Sequence, residues 1–295
     1  MTTVAWIGLG VMGYPMAGHL AKRSGLKITV YNRTAARAQS WIMDHENAVM
    51  ALTPAEAARN ADFVFACVGN DDDLRSVTIG PDGAFAVMKP GAVFVDHTTA
   101  SAIVARELAK AAAAVDLAFL DCPVSGGQAG AETGKLTVMC GGDETAYASA
   151  FPLISSYARA VRRIGPTGAG QLTKMVNQIA VAGVIQGLAE AIHFAESSGL
   201  DLDAVMETIS KGAAQSWQMD NRWKTMHQRK FDFGFAVDWI RKDLGICLEE
   251  AEHNHADLPV TKLLETYFAE VQSTGGNRWD SSSLISRLGP KQNPI

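Results

Sequence analysis

Short apolar runs alternate with amphipathic or alanine-rich stretches through the first half of the chain. The runs that resemble strands are Val4–Ile7, Lys27–Tyr31, Phe63–Val68, Ala92–Asp96, Ala118–Asp121, Leu136–Cys140 and a weaker run at Ala160–Ile164. The stretches between them that resemble helices include Ala35–Asp44, Pro54–Asn60 and Ser101–Ala114. Alternation of this kind predicts an α/β fold with a parallel, doubly wound sheet.

After the turn at Gly165–Gly170 the pattern becomes purely helical. Apolar positions from Leu172 to Ile192 recur at helical spacing and stop near Ser197, which predicts one helix of about 27 residues. From Ile179 onwards the helix is apolar almost all round, so we expect it to be buried between other helices. The further predicted helices are Leu202–Lys211, Trp217–Met226, Ala236–His253 and Val260–Ser273.

The chain length of 295 residues favours two domains. We place the sheet domain at 1–165 and an all-α domain, for substrate binding and oligomerisation, at 166–295, with the long helix between them. The buried helices imply more apolar surface than one small domain covers, so we expect a homodimer or homotetramer.

Composition narrows the partners and the compartment. The net charge of −5 gives no indication of nucleic acid or an anionic membrane as a partner. The four cysteines form no CxxC pair, so we expect neither a metal site nor a disulfide framework, and a reduced cytoplasmic location. We see no secretory leader and no apolar run long enough to span a bilayer.

A glycine-rich turn, Gly8-Leu9-Gly10-Val11-Met12-Gly13, follows the first strand and opens a helix. Gly8 permits the tight turn, Gly10 lets the backbone approach a pyrophosphate, and Gly13 lets the helix pack close to the sheet. The pyrophosphate would lie at the helix N-terminus, where N–H groups favour anions. The position of this turn predicts a dinucleotide-binding domain of the Rossmann type.

The end of the second strand bears on the choice of cofactor. NAD enzymes usually carry an acidic residue there, whereas this chain has Asn32, Arg33 and Thr34. Asn32 removes a charge that would repel a 2′-phosphate, Arg33 can pair with the phosphate or stack on adenine, and Thr34 can donate a hydrogen bond. The residues favour NADP(H) over NAD(H). The alternative is that Arg33 is a solvated charge and both cofactors are accepted.

Two later segments carry polar groups suited to a substrate site. Asp121–Gly127 places a Ser-Gly-Gly turn at the end of a strand, where a hydroxyl and several N–H groups could hold a carboxylate. Read alone, this is equally an ordinary tight turn. Gly168–Gln178 puts Gln171, Lys174 and Asn177 with Gln178 on one face of the long helix, although a lysine on a helix is usually a solvated surface charge.

Taken together, these segments resemble the β-hydroxyacid dehydrogenase family, which includes 3-hydroxyisobutyrate dehydrogenases and semialdehyde reductases. Four signatures occur in order, and the resemblance covers essentially the whole chain. They are the cofactor signature Gly8–Ala17, the substrate loop Asp121–Gly127 continuing to Gly134, the catalytic signature Gly168–Gln178, and the late cofactor signature Lys242-Asp243-Leu244.

The resemblance implies a role for each matching residue. Lys174 corresponds to the catalytic lysine, Asn177 to the residue that orients substrate or lysine, and Lys242 to a residue close to the cofactor. The positions matching the family's substrate contacts are Ser125, Gly126, Gly127, Gln178 and Phe231. The positions matching nicotinamide and ribose contacts on loops after strands are Val68, Asn70 and Thr99.

The implied reaction is oxidation of a short β-hydroxy acid, or reduction of the semialdehyde or keto acid. Nicotinamide exchanges the hydride, and Lys174 exchanges the hydroxyl proton as a general acid or base. The alternatives are a non-catalytic NADP-binding protein or an imine reductase of the same fold, and the presence of Lys174 argues against both. The chain is too short for 6-phosphogluconate dehydrogenase, a distant relative.

The identity of the substrate stays open. The polar and aromatic segment Gln215–Trp223 departs from the family pattern and is expected to line the pocket. Arg222 could bind a second carboxylate, as in a dicarboxylate semialdehyde, or form a structural ion pair.

Overall fold

A computed structural model describes residues 2–46 and 48–289. The chain forms two compact units, Met1–Lys174 and Met175–Ile295, and the division falls inside one long helix. The proposed domain boundary after residue 165 stays a prediction.

The first unit is an α/β unit. Its strands are β1 (Thr2–Ile7), β2 (Leu26–Tyr31), β3 (Ala48–Met50), β4 (Phe63–Ala66), β5 (Val93–Asp96), β6 (Ala118–Asp121), β7 (Val124–Ser125), β8 (Leu136–Gly142) and β9 (Ala158–Gly165). Its helices are α1 (Gly13–Ala21), α2 (Ala35–Met43), α3 (Pro54–Ala58), α4 (Asp71–Thr78), α5 (Ala102–Ala113), α6 (Gly127–Glu132) and α7 (Glu144–Ile154). This architecture confirms the predicted fold class.

The strands join in one sheet in the order β3-β2-β1-β4-β5-β6-β8-β7, with β9 paired to β8. From β1 to β3, successive strands are added on one side of β1. From β4 to β6, they are added on its other side. Ligands of such sheets bind beyond the carboxyl ends of the strands at this reversal point, here between β1 and β4. The loops after these two strands are therefore the expected cofactor loops.

One edge of the sheet contains antiparallel strands, which the predicted parallel sheet did not include. Strand β8 runs antiparallel to both β6 and β7. Strand β7 continues β6 along β8 in the same register. Only residues 126–135 separate β7 from β8, and a parallel crossover needs a dozen or more residues. Strands β3 and β7 are not predicted from the sequence, because three and two residues are too few to show a period of two.

The core of the first unit lies on both faces of the sheet. Trp6 and Phe65 belong to one cluster of buried residues, while Ile7 and Val64 belong to the other. Adjacent residues of one strand thus point to opposite buried faces. Burial on both faces explains why these strands are apolar throughout rather than alternating.

The second unit is helical within the described residues. Its helices are α8 (Ala169–Ser197), which begins in the first unit, α9 (Leu202–Ile209), α10 (Trp217–His227), α11 (Val237–Asn254), α12 (Pro259–Ser273) and two 3₁₀ turns at Gly276–Arg278 and Ser281–Arg287. Two buried clusters fill it, one around Ile192 and Met226 and one around Ile240 and Phe268. The predicted helices are all present.

Helix α8 departs from expectation in its surface. It has 29 residues, but it is not buried all round. Val176, Val184 and Phe194 are 67%, 40% and 71% exposed. By length and composition α8 could also cross a bilayer, contrary to the sequence expectation, and 44% of its apolar window is buried. The core helix of a soluble protein passes the same test.

Candidate active site

The glycine-rich turn connects β1 to α1 with little space around two of its three glycines. Gly8 has a φ of +95°, and a Cβ added to it would lie 2.3 Å from the carbonyl oxygen of Cys67. A Cβ on Gly13 would lie 2.0 Å from the carbonyl oxygen of Gly8. A Cβ on Gly10 would meet no described atom within 4 Å. The turn is therefore closed towards the sheet and open at Gly10, as backbone approach to a pyrophosphate requires.

The other residues of the turn have different environments. Leu9 is buried, Val11 is 54% exposed, and Met12 is the N-cap residue of α1. A methionine side chain offers no oxygen to the first N–H groups of the helix. The N–H of Tyr14 donates to the carbonyl oxygen of Gly10 at 3.0 Å, so the fit of the turn to a dinucleotide rests on the open backbone at Gly10.

Asn32 has a role that the sequence analysis missed. Its Oδ1 accepts a hydrogen bond of 2.9 Å from the N–H of Leu9, and its Nδ2 donates to the carbonyl oxygen of Thr34. Asn32 thus ties the glycine-rich turn to the loop after β2. Thr34 is the N-cap residue of α2. An amide that donates and accepts fits this position, where a carboxylate could only accept.

Arg33 lies next to a partner that the sequence analysis also missed. Its Nη1 is 2.7 Å from Asp73 Oδ1, and the arginine side chain is 82% exposed. Asp73 belongs to the acidic run Asp71–Asp73 in the first turn of α4. That run is visible in the sequence, but nothing in it indicates pairing across 40 positions.

The loops after β4 and β5 are joined to each other. The N–H of Val68 donates to Thr98 Oγ1 at 3.0 Å. Asn70 caps α4, because its Oδ1 accepts the N–H of Asp73 at 2.8 Å. Thr99 is half-buried. Val68, Asn70 and Thr99 thus lie beyond the carboxyl ends of strands next to the reversal point.

The predicted substrate loop forms β7 and the turn into α6. Ser125 is half-buried, while Gly126 and Gly127 are exposed. These glycines have φ values of +129° and +61°, which side-chain-bearing residues rarely adopt. The turn therefore depends on both glycines and leaves their backbone accessible.

A buried polar cluster holds the start of α8. Asp121 Oδ1 accepts the N–H of Gly168 at 2.8 Å, and its Oδ2 accepts the N–H of Gln171 at 2.9 Å. Gln171 is fully buried, and its Nε2 donates to the carbonyl oxygen of Thr98. Burial raises the pKa of Asp121, and the two N–H donors act in the opposite direction. No local pattern in the sequence indicates these contacts.

Lys174 lies one turn beyond Gln171 and is 8% exposed. It is therefore not the solvated surface charge that a helix lysine usually is. A lysine is seldom buried to this extent without a paired group or a chemical role.

In the second unit, α8 and α11 share a polar network. Asn177 Nδ2 donates to Gln178 Oε1 at 2.8 Å, and Gln178 Nε2 donates to Asp243 Oδ2 at 2.6 Å. Lys242 Nζ lies 3.1 Å from Asp243 Oδ1. The catalytic and late cofactor signatures therefore meet here, through the buried carboxylate of Asp243.

Two other residues have structural partners. Phe231 is 6% exposed, with its ring centroid 5.7 Å from that of Trp279. Arg222 Nε lies 3.4 Å from Asp280 Oδ1, and its guanidinium lies over the rings of Trp217 and Phe233. Of the two roles considered for Arg222, these contacts favour the structural ion pair.

The sheet order and the glycine-rich turn define a dinucleotide-binding protein, and comparison with known proteins narrows the class. Residues 3–165 match the family model described as the NAD-binding domain of 6-phosphogluconate dehydrogenase. Residues 168–288 match the model described as NAD-binding of NADP-dependent 3-hydroxyisobutyrate dehydrogenase. Together the two models cover nearly all of the chain.

Curated relatives match over the same length. An uncharacterised oxidoreductase of Shewanella frigidimarina is 60% identical, with 98% of each chain covered. The 2-hydroxy-3-oxopropionate reductase of Escherichia coli is 31% identical, with 97% of this chain and 96% of the reductase covered.

Solved structures agree with the relatives. One of Mycobacterium tuberculosis 3-hydroxyisobutyrate dehydrogenase with L-serine has a TM-score of 0.88 and 27% identity, covering 98% of this chain and all of the other. Psf3 in complex with NADP⁺ and 2-OPP has a TM-score of 0.87 and 27% identity, covering 97% and 100%. The chain belongs to the β-hydroxyacid dehydrogenase family of NAD(P)-dependent oxidoreductases, which act on CH–OH groups.

Proposed function

We propose that Lys174 transfers the proton as this enzyme interconverts a short β-hydroxy acid and its semialdehyde or keto acid. The observation that carries the proposal is the burial of Lys174 in the first turns of α8. The names of the relatives support the substrate class, because they are a hydroxyisobutyrate dehydrogenase and a hydroxy-oxopropionate reductase.

Each proposed site residue has a role that suits its chemical groups. A nicotinamide cofactor, when bound, would supply the donor or acceptor of the hydride for the carbinol carbon. The Lys174 amine accepts the hydroxyl proton during oxidation, and its ammonium form returns the proton during reduction. Ser125 and the N–H groups of Gly126 and Gly127 suit a carboxylate, because they are donors on a tight turn. By the family resemblance, Asn177 would orient the substrate or Lys174, and Gln178 and Phe231 would contact the substrate.

The first test is Lys174→Met, which keeps the length of the side chain and removes the amine. A 340 nm panel would pair NADPH or NADH with glyoxylate and with succinic, tartronate and methylmalonate semialdehydes, and the oxidised cofactors with 3-hydroxyisobutyrate and serine. We expect kcat to fall by about 10²–10⁴-fold while the Kd for cofactor is unchanged.

Lys110→Met is the matched control, because Lys110 is an exposed lysine on α5 and should retain full activity. Wild-type kcat in Lys174→Met would contradict the proposed role. Cofactor binding by the wild type without turnover of any substrate would instead favour the non-catalytic alternative.

We infer that the cofactor is NADP(H) in preference to NAD(H). Asn32 and Arg33 directly follow β2, where a bound dinucleotide would place its adenine ribose. Asn32 carries no charge that would repel a 2′-phosphate, and the side chain of Arg33 is exposed. The Arg33–Asp73 pair implies that a 2′-phosphate would compete with Asp73 for the guanidinium. Lys242 is proposed to lie close to the bound cofactor.

Two substitutions test this preference in opposite directions. Arg33→Ala should weaken NADPH binding by about 10- to 100-fold, the value of one charge-assisted hydrogen bond, and leave the Kd for NADH nearly unchanged. Asp73→Asn should strengthen NADPH binding, because it releases Arg33. Fluorescence titration measures both constants, and equal losses for the two cofactors in Arg33→Ala would refute a 2′-phosphate contact.

We also propose a homodimer or homotetramer built on α8. Exposed residues recur along this helix every three or four positions, at Val176, Ala180, Val184, Gly187, Ala191 and Phe194. A surface of this composition is typical of an interface between copies of one chain.

We also propose a cytoplasmic location. All four cysteines are thiols, as is usual in a reducing compartment.

A further inference from the structure

We infer that Asp121 is a positioning residue, which fixes the start of α8, and with it Lys174, against the loop that carries Ser125. The inference rests on the proposed role of Lys174. It goes beyond that role by assigning to the Asp121 carboxylate the contacts that join the substrate loop to the catalytic signature.

The first observation is the way in which α8 is capped. A helix usually receives its N-terminal cap from the residue just before it, but here that residue is Gly168, which has no side chain. Asp121 supplies the cap from the end of β6, 47 positions earlier, and each of its oxygens accepts one backbone N–H. Charged acceptors are favourable at this end of a helix.

The second observation is the lack of space around the cap. A Cβ on Gly170 would lie 2.2 Å from the carbonyl oxygen of Asp121, and a Cβ on Gly141 would lie 2.5 Å from Asp121 Oδ1. The backbone of α8 therefore packs directly on β6 and β8, with no layer of side chains between them. The start of the helix has little freedom to shift while these contacts hold.

The third observation is that the first turn of α8 is also attached to the loop after β5. Gln171 joins it to the loop after β5, because its Oε1 accepts the N–H of Ala100 and its Nε2 donates to Thr98. Lys174 follows three residues later on a continuous helix. Since the substrate loop starts at Asp121 itself, the carboxylate sets the distance between that loop and Lys174.

The test is Asp121→Asn, which keeps the shape and replaces one acceptor oxygen with a donor. Displacement of a reacting group by about 1 Å can cost about 100-fold in rate. We expect kcat to fall by about 10- to 100-fold, with the Kd for NADPH unchanged, because the glycine-rich turn lies elsewhere in the unit.

A double-mutant cycle separates positioning from stability. In the Lys174→Met background, Asp121→Asn should have no further effect on kcat, because the group that it positions is absent. A loss of the same size in both backgrounds would overturn the inference. The matched control is Asp143→Asn, since Asp143 is also a carboxylate that caps a helix, α7, but caps it from the residue just before it. Asp143 holds no residue of the proposed site, so the kcat of this variant should be that of the wild type.

The failure of this inference is distinguishable from that of the proposed function. If Lys174→Met retains kcat, the proposed function fails. If Lys174→Met is inactive while folded Asp121→Asn has wild-type kcat, only the inference fails. Should Asp121→Asn not fold, Asp121→Ser offers a smaller acceptor oxygen, and wild-type kcat in that variant would likewise overturn the inference.

Discussion

Two adjacent residues at the end of β5, Asp96 and His97, are both fully buried and both titratable. Burial raises the pKa of Asp96 to about 7 and lowers that of His97 to about 4. His97 Nδ1 lies 2.6 Å from the carbonyl oxygen of Cys122, which can only accept, so Nδ1 carries the proton. Nε2 then accepts from the hydroxyl of Tyr157 at 2.8 Å.

The two groups make opposite contributions to the pH dependence of stability. Between about pH 4 and 7 folded Asp96 holds a proton that the unfolded chain has lost, so its contribution falls as pH rises. Below its ordinary pKa of 6.5, unfolded His97 gains a proton that the folded residue does not take up. Its contribution therefore falls as pH decreases towards 4.

Single substitutions should reveal each contribution. Relative to wild type, Asp96→Asn should gain stability with rising pH between about 4 and 7, and His97→Gln should gain stability with falling pH between about 6.5 and 4. Each difference should be on the order of 3 to 4 kcal/mol. Urea denaturation across this range measures them, and profiles parallel to wild type would disprove these contributions.

At the scale of elements, the local sequence predicted most helices and strands but not the contacts that hold them in place. Gly168 and Gly170 predict a turn, yet Gly170 lies in the first turn of α8. Glycine is needed there because a Cβ would collide with β6 and β8. A contact between residues so far apart leaves no periodic pattern in the sequence, so it cannot be predicted from the local sequence.

Short helices with few apolar residues were also not predicted from the sequence. Helices α4 and α6 begin at Asp71 and Gly127. Helix α4 is polar on most of its surface, and α6 has only six residues. Asn70 caps α4, and each helix buries few side chains, such as Leu74 in α4 and Ala131 in α6. Helices this short depend on such tertiary packing for their stability.

At the scale of the whole molecule, the exposed residues of α8 predict association. Phe194→Ser and Val184→Ser should shift the protein from dimer or tetramer towards monomer, because each removes apolar area from the proposed interface. Light scattering after gel filtration measures the mass. Val260→Ser is the control, since Val260 is 62% exposed on α12 and should leave the mass unchanged. A monomeric wild type would exclude the interface.

The sequence by itself determined the fold class, the dinucleotide turn and the family, because these depend on local properties. Glycines report their own backbone conformation, and apolar spacing reports the type of element. Only the tertiary structure decided that Asp121 caps α8, that Asn32 joins two loops and that Arg33 pairs with Asp73. Each of these contacts links residues 23 to 50 positions apart, and such pairings form only when the sheet brings strand ends together.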